Sequence, residues 1–260
     1  MEKISVVILN WKRPENTVKI VSSLRANELV DDIVIWNDNP SAKILFPEPI
    51  NKVKIIESNY NFGLYDRWYA ALLAENDAVF IQDDDLILSG KAIKTLFDEW
   101  KKDPEVIHGI WGNMPQPWDL RYYGSKTDLS EAETVLTRAL VFHKKYIYEI
   151  LKKAYTAGDY LKNTIKKNGE DIFMSYVVMS IAGRRNKIHD LCDEVEELPC
   201  PYAISSDSEN HLEVRTNVLR ACRKEFHIRF SMKERMLIVL YRIAAYLKRA
   251  HPALHSRIKK

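Results

Sequence analysis

Glycine is scarce in this chain, which has eight glycines among 260 residues. None of them forms the G-x-G-x-x-G pattern of a dinucleotide site or the G-x-x-x-x-G-K-[ST] pattern of a P-loop. The chain also lacks H-E-x-x-H and G-x-S-x-G, the patterns of zinc proteases and of serine hydrolases. The sequence therefore gives no support to these four kinds of site.

Cysteine is scarce as well, and the three cysteines lack C-x-x-C spacing: Cys192, Cys200 and Cys222. This favours free thiols in a reducing compartment over a disulfide framework or a zinc site.

The most apolar stretch, 236–247, contains Arg242 and is shorter than the ~20 residues of a spanning helix. An apolar run begins at Ile4 and leaves no space for an export leader. We therefore expect a cytoplasmic protein that does not cross a bilayer.

The net charge is only +3, but it is unevenly distributed along the chain. The stretch 220–260 contains twelve Lys and Arg against two Glu, a charge of +10, which leaves −7 for residues 1–219. This local basic character predicts a tail that meets an anionic surface. We expect that surface to be a membrane, and no nucleic-acid partner.

The basic end also carries a helical pattern in 227–260, which we treat as a tail separate from a domain formed by 1–226. At 100° per residue, one apolar stripe consists of Met232, Met236, Val239, Leu240, Ile243 and Leu247. Arg235, Arg242 and Arg249 recur seven apart on another face. The pattern predicts an amphipathic helix on a membrane surface. Docking on the rest of the chain or on a dimer partner is the alternative.

Short β-rich runs alternate with helical patterns through the first half of the chain, which predicts an α/β fold with a largely parallel sheet. The predicted strands are Lys3 to Leu9, Asp32 to Trp36, Val53 to Glu57, Ala78 to Gln82 and Thr134 to Phe142. The predicted helices begin near Pro14, Tyr65, Ser89, Lys144 and Glu170. No linker rich in Pro, Gly or Ser interrupts this pattern before about residue 200.

Three consecutive carboxylates, Asp83, Asp84 and Asp85, follow an apolar strand at the point where it ends. Open α/β sheets bind ligands at the carboxyl ends of parallel strands. Side chains alternate along an extended strand, so we expect Asp83 and Asp85 to share one face and Asp84 to take the other. One face could hold Mg²⁺ or Mn²⁺ with phosphate oxygens, and the other could bind sugar hydroxyls. The pattern favours a nucleotide-sugar site over a solvated acidic turn.

Polar side chains also follow the other predicted strands. Asn10 and Arg13 come after the first strand, Asn37 after the second and Asn61 after the third. Such residues are common in turns, but here they would line the same edge as the Asp triplet. Amide side chains, which donate and accept, suit a uracil or a ribose. Arg67, on the next helix, could neutralise a diphosphate or form a helix-surface ion pair.

Two further carboxylates, Glu170 and Asp171, begin a predicted apolar helix. The helix dipole favours carboxylates in a first turn regardless of function. In this position a carboxylate could nevertheless face the reacting carbon of a sugar, as a nucleophile, an ion-pair stabiliser or a base. Arg215 could stabilise a departing phosphate group, although it is also one of many basic residues in the last third of the chain.

In this order, the residues resemble the exostosin-type glycosyltransferases, glycosyltransferase family 64, over roughly residues 3 to 226. The segments that carry the similarity are Asn10-x-x-Arg13, Val34 to Asn37, Asn61 with Arg67, Asp83 to Asp85, Tyr123-Gly124-Ser125, Val135 to Tyr146, Glu170-Asp171-Ile172-x-Met174 and His211-x-x-x-Arg215. The resemblance implies a GT-A fold, which is a Rossmann-like mixed sheet flanked by helices. It also implies retaining transfer of an N-acetylhexosamine from a UDP-sugar, with Mn²⁺ or Mg²⁺.

The resemblance further implies a role for each matched residue. Asp85 would bind the metal, while Asp83 and Asp84 would face the ribose and the sugar. The resemblance implies that the nucleotide sugar is bound by Asn10, Arg13, Asn37, Asn61 and Arg67. It implies catalytic roles for Asp171, Arg215 and Glu170, and Glu170 stands where the family has an aspartate.

The sequence thus predicts a metal-dependent glycosyltransferase that acts on a glycan or a lipid-linked saccharide. Two alternatives stay open at this point. One is an inverting transferase of the family-2 kind, with Asp171 as its general base. The other is a non-catalytic module that binds Ca²⁺ or a glycan through the Asp triplet.

Overall fold

The computed structural model describes residues 2–46, 51–201 and 210–250, with side chains up to residue 247. The helices are α1 (Pro14–Arg25), α2 (Asp66–Leu72), α3 (Gly90–Lys102), α4 (Tyr146–Thr156), α5 (Asp159–Thr164), α6 (Glu170–Ala182), α7 (His211–Glu225) and α8 (Met232–Ala250). The strands are β1 (Ile4–Asn10), β2 (Val30–Asn37), β3 (Val53–Glu57), β4 (Ala78–Gln82), β5 (Leu86–Leu88), β6 (His108–Gly109), β7 (Gly112–Asn113), β8 (Glu131–Ala132), β9 (Thr134–Val135), β10 (Ala139–His143), β11 (Asn186–Ile188) and β12 (Val195–Glu197). Residues 251–260, the end of the predicted C-terminal helix, lie outside the described residues.

Eight strands form one mixed sheet in the order β3-β2-β1-β4-β10-β6-β11-β8. The first four are parallel neighbours, whereas β10 runs antiparallel to both β4 and β6. Because parallel strands point the same way, the carboxyl ends of β1 to β4 meet at one edge of the sheet. Two small sheets pair β5 with β12 and β7 with β9.

Apolar side chains cover both faces of the sheet. β1 directs Val7 into a cluster that includes α2, α4, α6 and α7, and it directs Val6 and Ile8 into a second cluster that includes α1 and α3. This alternation is the period of two that a strand imposes. A sheet covered on both faces explains why β1 is an almost unbroken apolar run.

The four parallel strands of the sequence analysis are confirmed, but the predicted strand from Thr134 to Phe142 is wrong. β9 ends at Val135 and pairs with β7, whereas β10 begins at Ala139 and pairs with β4. Between them, Leu136 N–H donates to the Trp111 carbonyl, at 2.9 Å, and the Arg138 carbonyl accepts from Asp83 N–H, at 3.1 Å. These contacts with other segments split one apolar run into two strands.

α6 is a core helix whose first ten residues are all buried. Gly169 immediately precedes it with a φ of 87°, a left-handed conformation that favours glycine. A Cβ atom there would lie 2.9 Å from the Val218 side chain on α7. This close approach fixes Glu170 and Asp171 at the junction of α6 and α7.

The beginning of α8 has a reciprocal cap and is connected to the domain by an ion pair. Glu234 N–H donates to Ser231 Oγ, at 3.2 Å, and Ser231 N–H donates to Glu234 Oε2, at 2.7 Å, which is a capping box. Glu234 also pairs with Arg185, which lies 3.9 Å from the buried Glu133. None of the helices in the described ranges is long and apolar enough to span a bilayer.

Candidate active site

A cleft of about 750 Å³ opens at the edge where β1 and β4 end. Its walls come from the loops after these strands, from α2, from the start of α6 and from α7. Eight of the predicted site residues line this cleft: Arg13, Arg67, Asp83, Asp84, Asp85, Glu170, Asp171 and Arg215. Residues from distant parts of the chain therefore converge where an α/β sheet binds its ligands.

The Asp triplet is not arranged as an extended strand would arrange it. β4 ends at Gln82, and the three aspartates form the turn that leads into β5. Arg13 Nη2 lies 2.6 Å from Asp84 Oδ1, and Arg13 Nη1 lies 3.2 Å from Asp85 Oδ2. The expectation that Asp83 and Asp85 share a face is wrong, because a turn does not keep the period of two. Asp84 and Asp85 share the Arg13 guanidinium instead.

Arg67 connects the triplet with the start of α6. Its Nη1 lies 3.1 Å from Asp83 Oδ1, and its Nη2 lies 3.7 Å from Glu170 Oε1. Thr137 Oγ1 donates a hydrogen bond to the same Glu170 oxygen, at 3.0 Å. The Arg67 side chain is buried, so this is an internal ion pair at the cleft wall and not the solvated pair on a helix surface that the sequence left open.

Asp171 and Arg215 form a second buried ion pair. Arg215 Nη2 lies 2.6 Å from Asp171 Oδ2, and it also donates to the hydroxyl of Tyr122, at 3.1 Å. The guanidinium carbon stands 4.2 Å from the centre of the Tyr122 ring. Asp171 Oδ1 accepts from the N–H of Ile172, at 2.8 Å. Both charged groups are held in fixed orientations.

Two carboxyl groups of the cleft have strongly perturbed pKa values. Burial raises the pKa of Glu170 to about 7, against the opposing effect of Arg67 and with a further rise from Asp171. Burial also raises the pKa of Asp84 to about 7, with Arg13 opposing the shift and Asp83 adding to it. Groups that exchange protons near neutral pH are suited to general acid–base work.

Three predicted nucleotide-binding residues do not line the cleft. Asn10 and Asn37 are fully buried, and Asn10 Nδ2 donates to Asn37 Oδ1, at 2.8 Å. Asn37 Nδ2 donates to Glu57 and to the Ala42 carbonyl. Because these amides bond to the protein itself, their placement argues against direct contact with a nucleotide. Asn61 is exposed in the loop after β3, where its Oδ1 accepts from the Gly63 N–H, at 2.7 Å.

Asp85 has the features of a ligand for a divalent cation. Its Oδ2 accepts a hydrogen bond from Arg13, but its Oδ1 is buried and has no hydrogen-bond partner. Burying such an oxygen without a partner is costly, and a hard cation would satisfy it. Within the described ranges, no three His, Cys, Asp or Glu side chains are grouped to hold a metal. An ion that takes its other ligands from phosphates and water needs no such group, so Mn²⁺ or Mg²⁺ is compatible with Asp85.

Several polar residues of the cleft were not among the predicted site residues: Tyr122, Ser125, Thr137, Arg138, Asn168, Glu197, Cys200 and His211. Tyr122 and Thr137 contact the ion pairs through hydroxyl groups, and their positions in irregular segments give no sequence signal. His211 was detectable, since it lies four residues before Arg215 on α7, and residues four apart share a helix face. His211 Nδ1 lies 3.2 Å from Asn168 Nδ2.

Comparison with known proteins gives matches that cover most of the chain. The family model described as "Glycosyl transferase family 64 domain" matches residues 4–239. Exostosin-1 of Mus musculus is 30% identical over 172 residues, which cover 62% of this chain and 22% of that protein. Glycosylinositol phosphorylceramide mannosyl transferase 1 of Arabidopsis thaliana is 24% identical over 202 residues, which cover 67% of this chain and 58% of that protein. The chain thus spans less than two thirds of the length of either relative.

A solved structure shares the fold. The crystal structure of GalNAc-T7 with UDP, GalNAc and Mn²⁺ matches with a TM-score of 0.60 and 15% identity, over 85% of this chain and 48% of that chain. At this identity the similarity shows the fold alone. It confirms the predicted α/β fold of GT-A type, with a mixed sheet flanked by helices.

Proposed function

Because the chain belongs to glycosyl transferase family 64 and is therefore a glycosyltransferase, we propose that it moves an N-acetylhexosamine from a UDP-sugar to a glycan or lipid-linked acceptor. We also propose that the sugar keeps its anomeric configuration. The observation that carries this proposal is the unpartnered, buried oxygen of Asp85 in a cleft lined by guanidinium–carboxylate pairs. Such a cleft can take a diphosphate and a cation together.

The donor would lie over the Asp triplet. Asp83 and Asp84 would accept hydrogen bonds from ribose and sugar hydroxyls, while Arg13 and Arg67 would compensate their charge. Asp85 would hold the divalent cation, which, when bound, offsets the negative charge of the diphosphate. Asn10 and Asn37 would act indirectly, by holding the ends of β1 and β2 together beneath the cleft.

The proposed chemistry depends on the two ion pairs at the start of α6. The acceptor hydroxyl would form a bond to the anomeric carbon while the bond to UDP breaks, and Arg215 would stabilise the charge on the departing phosphate. Asp171 fixes the orientation of that guanidinium through the 2.6 Å contact. Glu170, with a pKa of about 7, is suited to hold the proton that the acceptor loses.

The inverting alternative needs Asp171 to act as a general base. The Arg215 guanidinium already binds Asp171 Oδ2, and the Ile172 N–H binds Oδ1, so both carboxylate oxygens already accept a hydrogen bond. This arrangement argues against Asp171 as the base of an inverting reaction. Proton NMR of the first product formed from an α-linked donor separates the two reactions, because retention gives an α-linked product and inversion gives a β-linked one.

Nucleotide-sugar binding is the direct test of the proposal. We expect UDP to raise the melting temperature in the presence of Mn²⁺, because a ligand at a hundred times its Kd stabilises the folded state by about 2.7 kcal/mol. A screen of UDP-sugars under the same conditions then identifies the donor. The non-catalytic alternative predicts a shift with Ca²⁺ or a free glycan and none with UDP, and that result would overturn the proposed function.

The name of one relative suggests an acceptor attached to a lipid. The Arabidopsis relative is named as a mannosyl transferase of a glycosylinositol phosphorylceramide, and this lipid would place its sugars at a membrane surface. We propose that the present chain also works on a membrane-bound saccharide and binds the membrane through α8.

α8 presents its predicted apolar stripe to solvent. Val239, Leu240 and Ile243 are each at least half exposed, and Met232 is 83% exposed. The side of the helix that is partly covered carries other residues, among them Leu237 and Ile238. Because the stripe is not docked on the described part of the domain, a membrane or a second copy of the chain is left to cover it. The nearby arginines favour an anionic membrane, at about 1 kcal/mol for each basic residue close to the surface.

Two substitutions on neighbouring positions of α8 test the membrane proposal. Ile243→Glu places a charge in the stripe, whereas Ala244→Glu places the same charge on the exposed surface beside it. We expect Ile243→Glu to abolish co-sedimentation with vesicles that contain an anionic phospholipid, and Ala244→Glu to reduce it much less. Equal sedimentation of all three proteins would refute the membrane role. Loss of a dimer in Ile243→Glu, measured by analytical ultracentrifugation, would assign the stripe to a second copy. The cytoplasmic location stays a prediction.

A further inference from the structure

A second groove, of about 580 Å³, lies beside the cleft between the loop after β3, α2, α4 and α5. We call it the lysine groove. Its aromatic lining residues are Tyr60, Phe62, Tyr65, Tyr69 and Tyr155, and its charged ones are Lys162, Lys166 and Lys167. None of the described residues that line it is acidic. The groove therefore combines aromatic rings with charge of a single sign.

Close contacts fix the segment that separates the lysine groove from the cleft. Leu64 lines the cleft, and its N–H donates to the Lys166 carbonyl on the groove side, at 2.8 Å. Gly63 has a φ of +92°, and a Cβ atom on it would lie 2.1 Å from the same carbonyl oxygen. The Tyr65 hydroxyl donates to the Lys162 carbonyl, at 2.9 Å. These contacts hold the loop against α5, so the groove is a fixed feature that adjoins the cleft.

The aromatic rings of the groove are open to a ligand. Tyr155 is 76% exposed, Tyr60 is 62% exposed and Phe62 is 50% exposed. An exposed aromatic ring is common on its own, but a group of them marks a binding surface. Aromatic rings cover the apolar faces of a ligand, and a tyrosine also offers its hydroxyl. Pyranose rings have such apolar faces, with hydroxyls around their edges.

The lysines add selectivity for negative charge. Lys162 Nζ stands 4.6 Å from the centre of the Tyr155 ring, and Lys166 Nζ stands 5.9 Å from that of Tyr65. Each ammonium group thus lies over one face of its ring. A positive groove with no acidic lining residue attracts anionic ligands and repels cationic ones.

We propose that the lysine groove binds a negatively charged saccharide, whose rings pack on the aromatic side chains and whose carboxylate, phosphate or sulfate groups pair with the lysines. The groove adjoins the cleft through the Gly63–Leu64 wall, so the saccharide is the remote part of the acceptor; this last step rests on the proposed function. Single-stranded nucleic acid also stacks on aromatic rings, but a neighbouring cleft for sugar transfer favours a saccharide.

Direct binding to the full chain tests the groove with a matched pair of controls. The probes are a tetrasaccharide of uronic acids, a neutral tetrasaccharide, inorganic phosphate and a short single-stranded DNA, each titrated by calorimetry. The groove variants are Tyr155→Ala and Lys162→Glu. The controls are Tyr148→Ala and Lys152→Glu. In this pair on α4 a lysine also lies over a tyrosine ring, with 6.0 Å between Nζ and the ring centre, and neither residue lines the groove.

We expect each groove variant to weaken binding of the uronic tetrasaccharide by about tenfold, and each control to leave it unchanged. Native binding should weaken as salt is added, and the neutral tetrasaccharide should bind more weakly than the charged one. If inorganic phosphate binds more tightly than the uronic tetrasaccharide, the anionic group that pairs with the lysines is the phosphate of a phosphorylated sugar. Equal losses in groove and control variants, equal affinity for the neutral probe, or a preference for DNA would overturn the proposal.

UDP binding to the same preparations separates this inference from the proposed function. None of the four substituted residues lines the cleft, so the UDP-dependent thermal shift should be unchanged in every variant. If UDP fails to bind the native protein while the tetrasaccharide binds, the proposed function fails and the saccharide site stands. If UDP binds and the tetrasaccharide does not, the groove proposal fails alone. A remote acceptor subsite further predicts that the KM for a long acceptor rises in the groove variants, whereas that for a short one does not.

Discussion

Breaking the buried pair of Asp171 and Arg215 tests whether the two residues carry stability, chemistry or both. Arg215 is 6% exposed and Asp171 is 4% exposed. Arg215→Ala removes the donors to Asp171 Oδ2 and leaves only the backbone contact of Ile172 to this carboxylate. An uncompensated buried charge costs about 3–5 kcal/mol, which is a large part of the roughly 5–15 kcal/mol that holds a domain folded.

Urea unfolding at pH 7.5 measures this loss, and the exposed pair of Arg184 and Asp103 provides the control. The side chain of Arg184 is 51% exposed, so Arg184→Ala should cost no more than about 1 kcal/mol. The double variant Asp171→Leu with Arg215→Met removes both charges and should recover most of the stability that Arg215→Ala loses. A loss below about 1 kcal/mol in Arg215→Ala would show that this pair is solvated, and the reasoning would then be wrong.

The same variants separate stability from chemistry. Asp171→Asn keeps the size of the side chain and an oxygen acceptor, so it should cost less stability than Arg215→Ala. If Asp171 orients Arg215 for the departing phosphate, kcat should fall by about a hundredfold or more, while UDP affinity stays close to that of the native protein. The double variant should be stable and inactive. An unchanged kcat in the folded fraction of Asp171→Asn would leave this residue with only the role of a helix-start carboxylate.

The other predictions concern the cation, a proton and a glycine. Asp85→Ala should abolish the Mn²⁺-dependent part of UDP binding and leave uridine binding unchanged, and full activity in excess EDTA would contradict the assignment of Asp85. Because the pKa of Glu170 is raised by burial to about 7, stability from its protonated form is fully present below the ordinary pKa and is lost as the pH rises through about 7. The stability of the native protein should therefore fall relative to that of Glu170→Gln by up to about 3 kcal/mol between pH 5 and pH 8, and a difference between the two proteins that stays constant across this range would refute the prediction. Gly169→Ala should cost about 2–3 kcal/mol, because the left-handed backbone and the Val218 clash add, whereas Gly183→Ala, with open space and a φ of +70°, should cost about 1 kcal/mol; equal losses would contradict the close packing of α6 on α7.

The fold was readable from the sequence wherever one local pattern decides the structure. The apolar runs of β1, β2 and β4 are largely buried, and a run of this kind needs no information from the rest of the chain. The capping box of Ser231 and Glu234 was also readable, because both partners lie within four residues. The segment from Thr134 to Phe142 was not readable, because distant backbone groups at Trp111 and Asp83 decide where it breaks.

The sequence predicted which residues belong to the candidate site, but not which of them contact one another. Position after a parallel strand explains why Arg13 and the three aspartates lie in the cleft, since topology alone places strand ends together. The other four predicted residues of the cleft reach it from helices α2, α6 and α7. The pairing of Arg13 with Asp84 and Asp85 spans about seventy residues of sequence, and no spacing rule predicts it. The burial of Asn10 and Asn37 depends on how tightly β1 and β2 pack, which is a property of the folded chain.

The balance of charged side chains in the cleft bears on the proposed cation. Its basic lining residues are Arg13, Arg67, Arg138 and Arg215, and its acidic ones are Asp83, Asp84, Asp85, Glu170, Asp171 and Glu197. With all of them ionised, six negative charges face four positive ones. Because the pKa values of Glu170 and Asp84 are raised to about 7, the full excess of negative charge is present only above neutral pH. Such an excess opposes the approach of a diphosphate. The arginines do not reverse this repulsion, because the carboxylates already hold all four of them in close ion pairs. A divalent cation at Asp85 would cancel the excess and would satisfy the one triplet oxygen that is buried without a hydrogen-bond partner. We therefore expect binding of a nucleotide diphosphate in this cleft to depend on a metal ion.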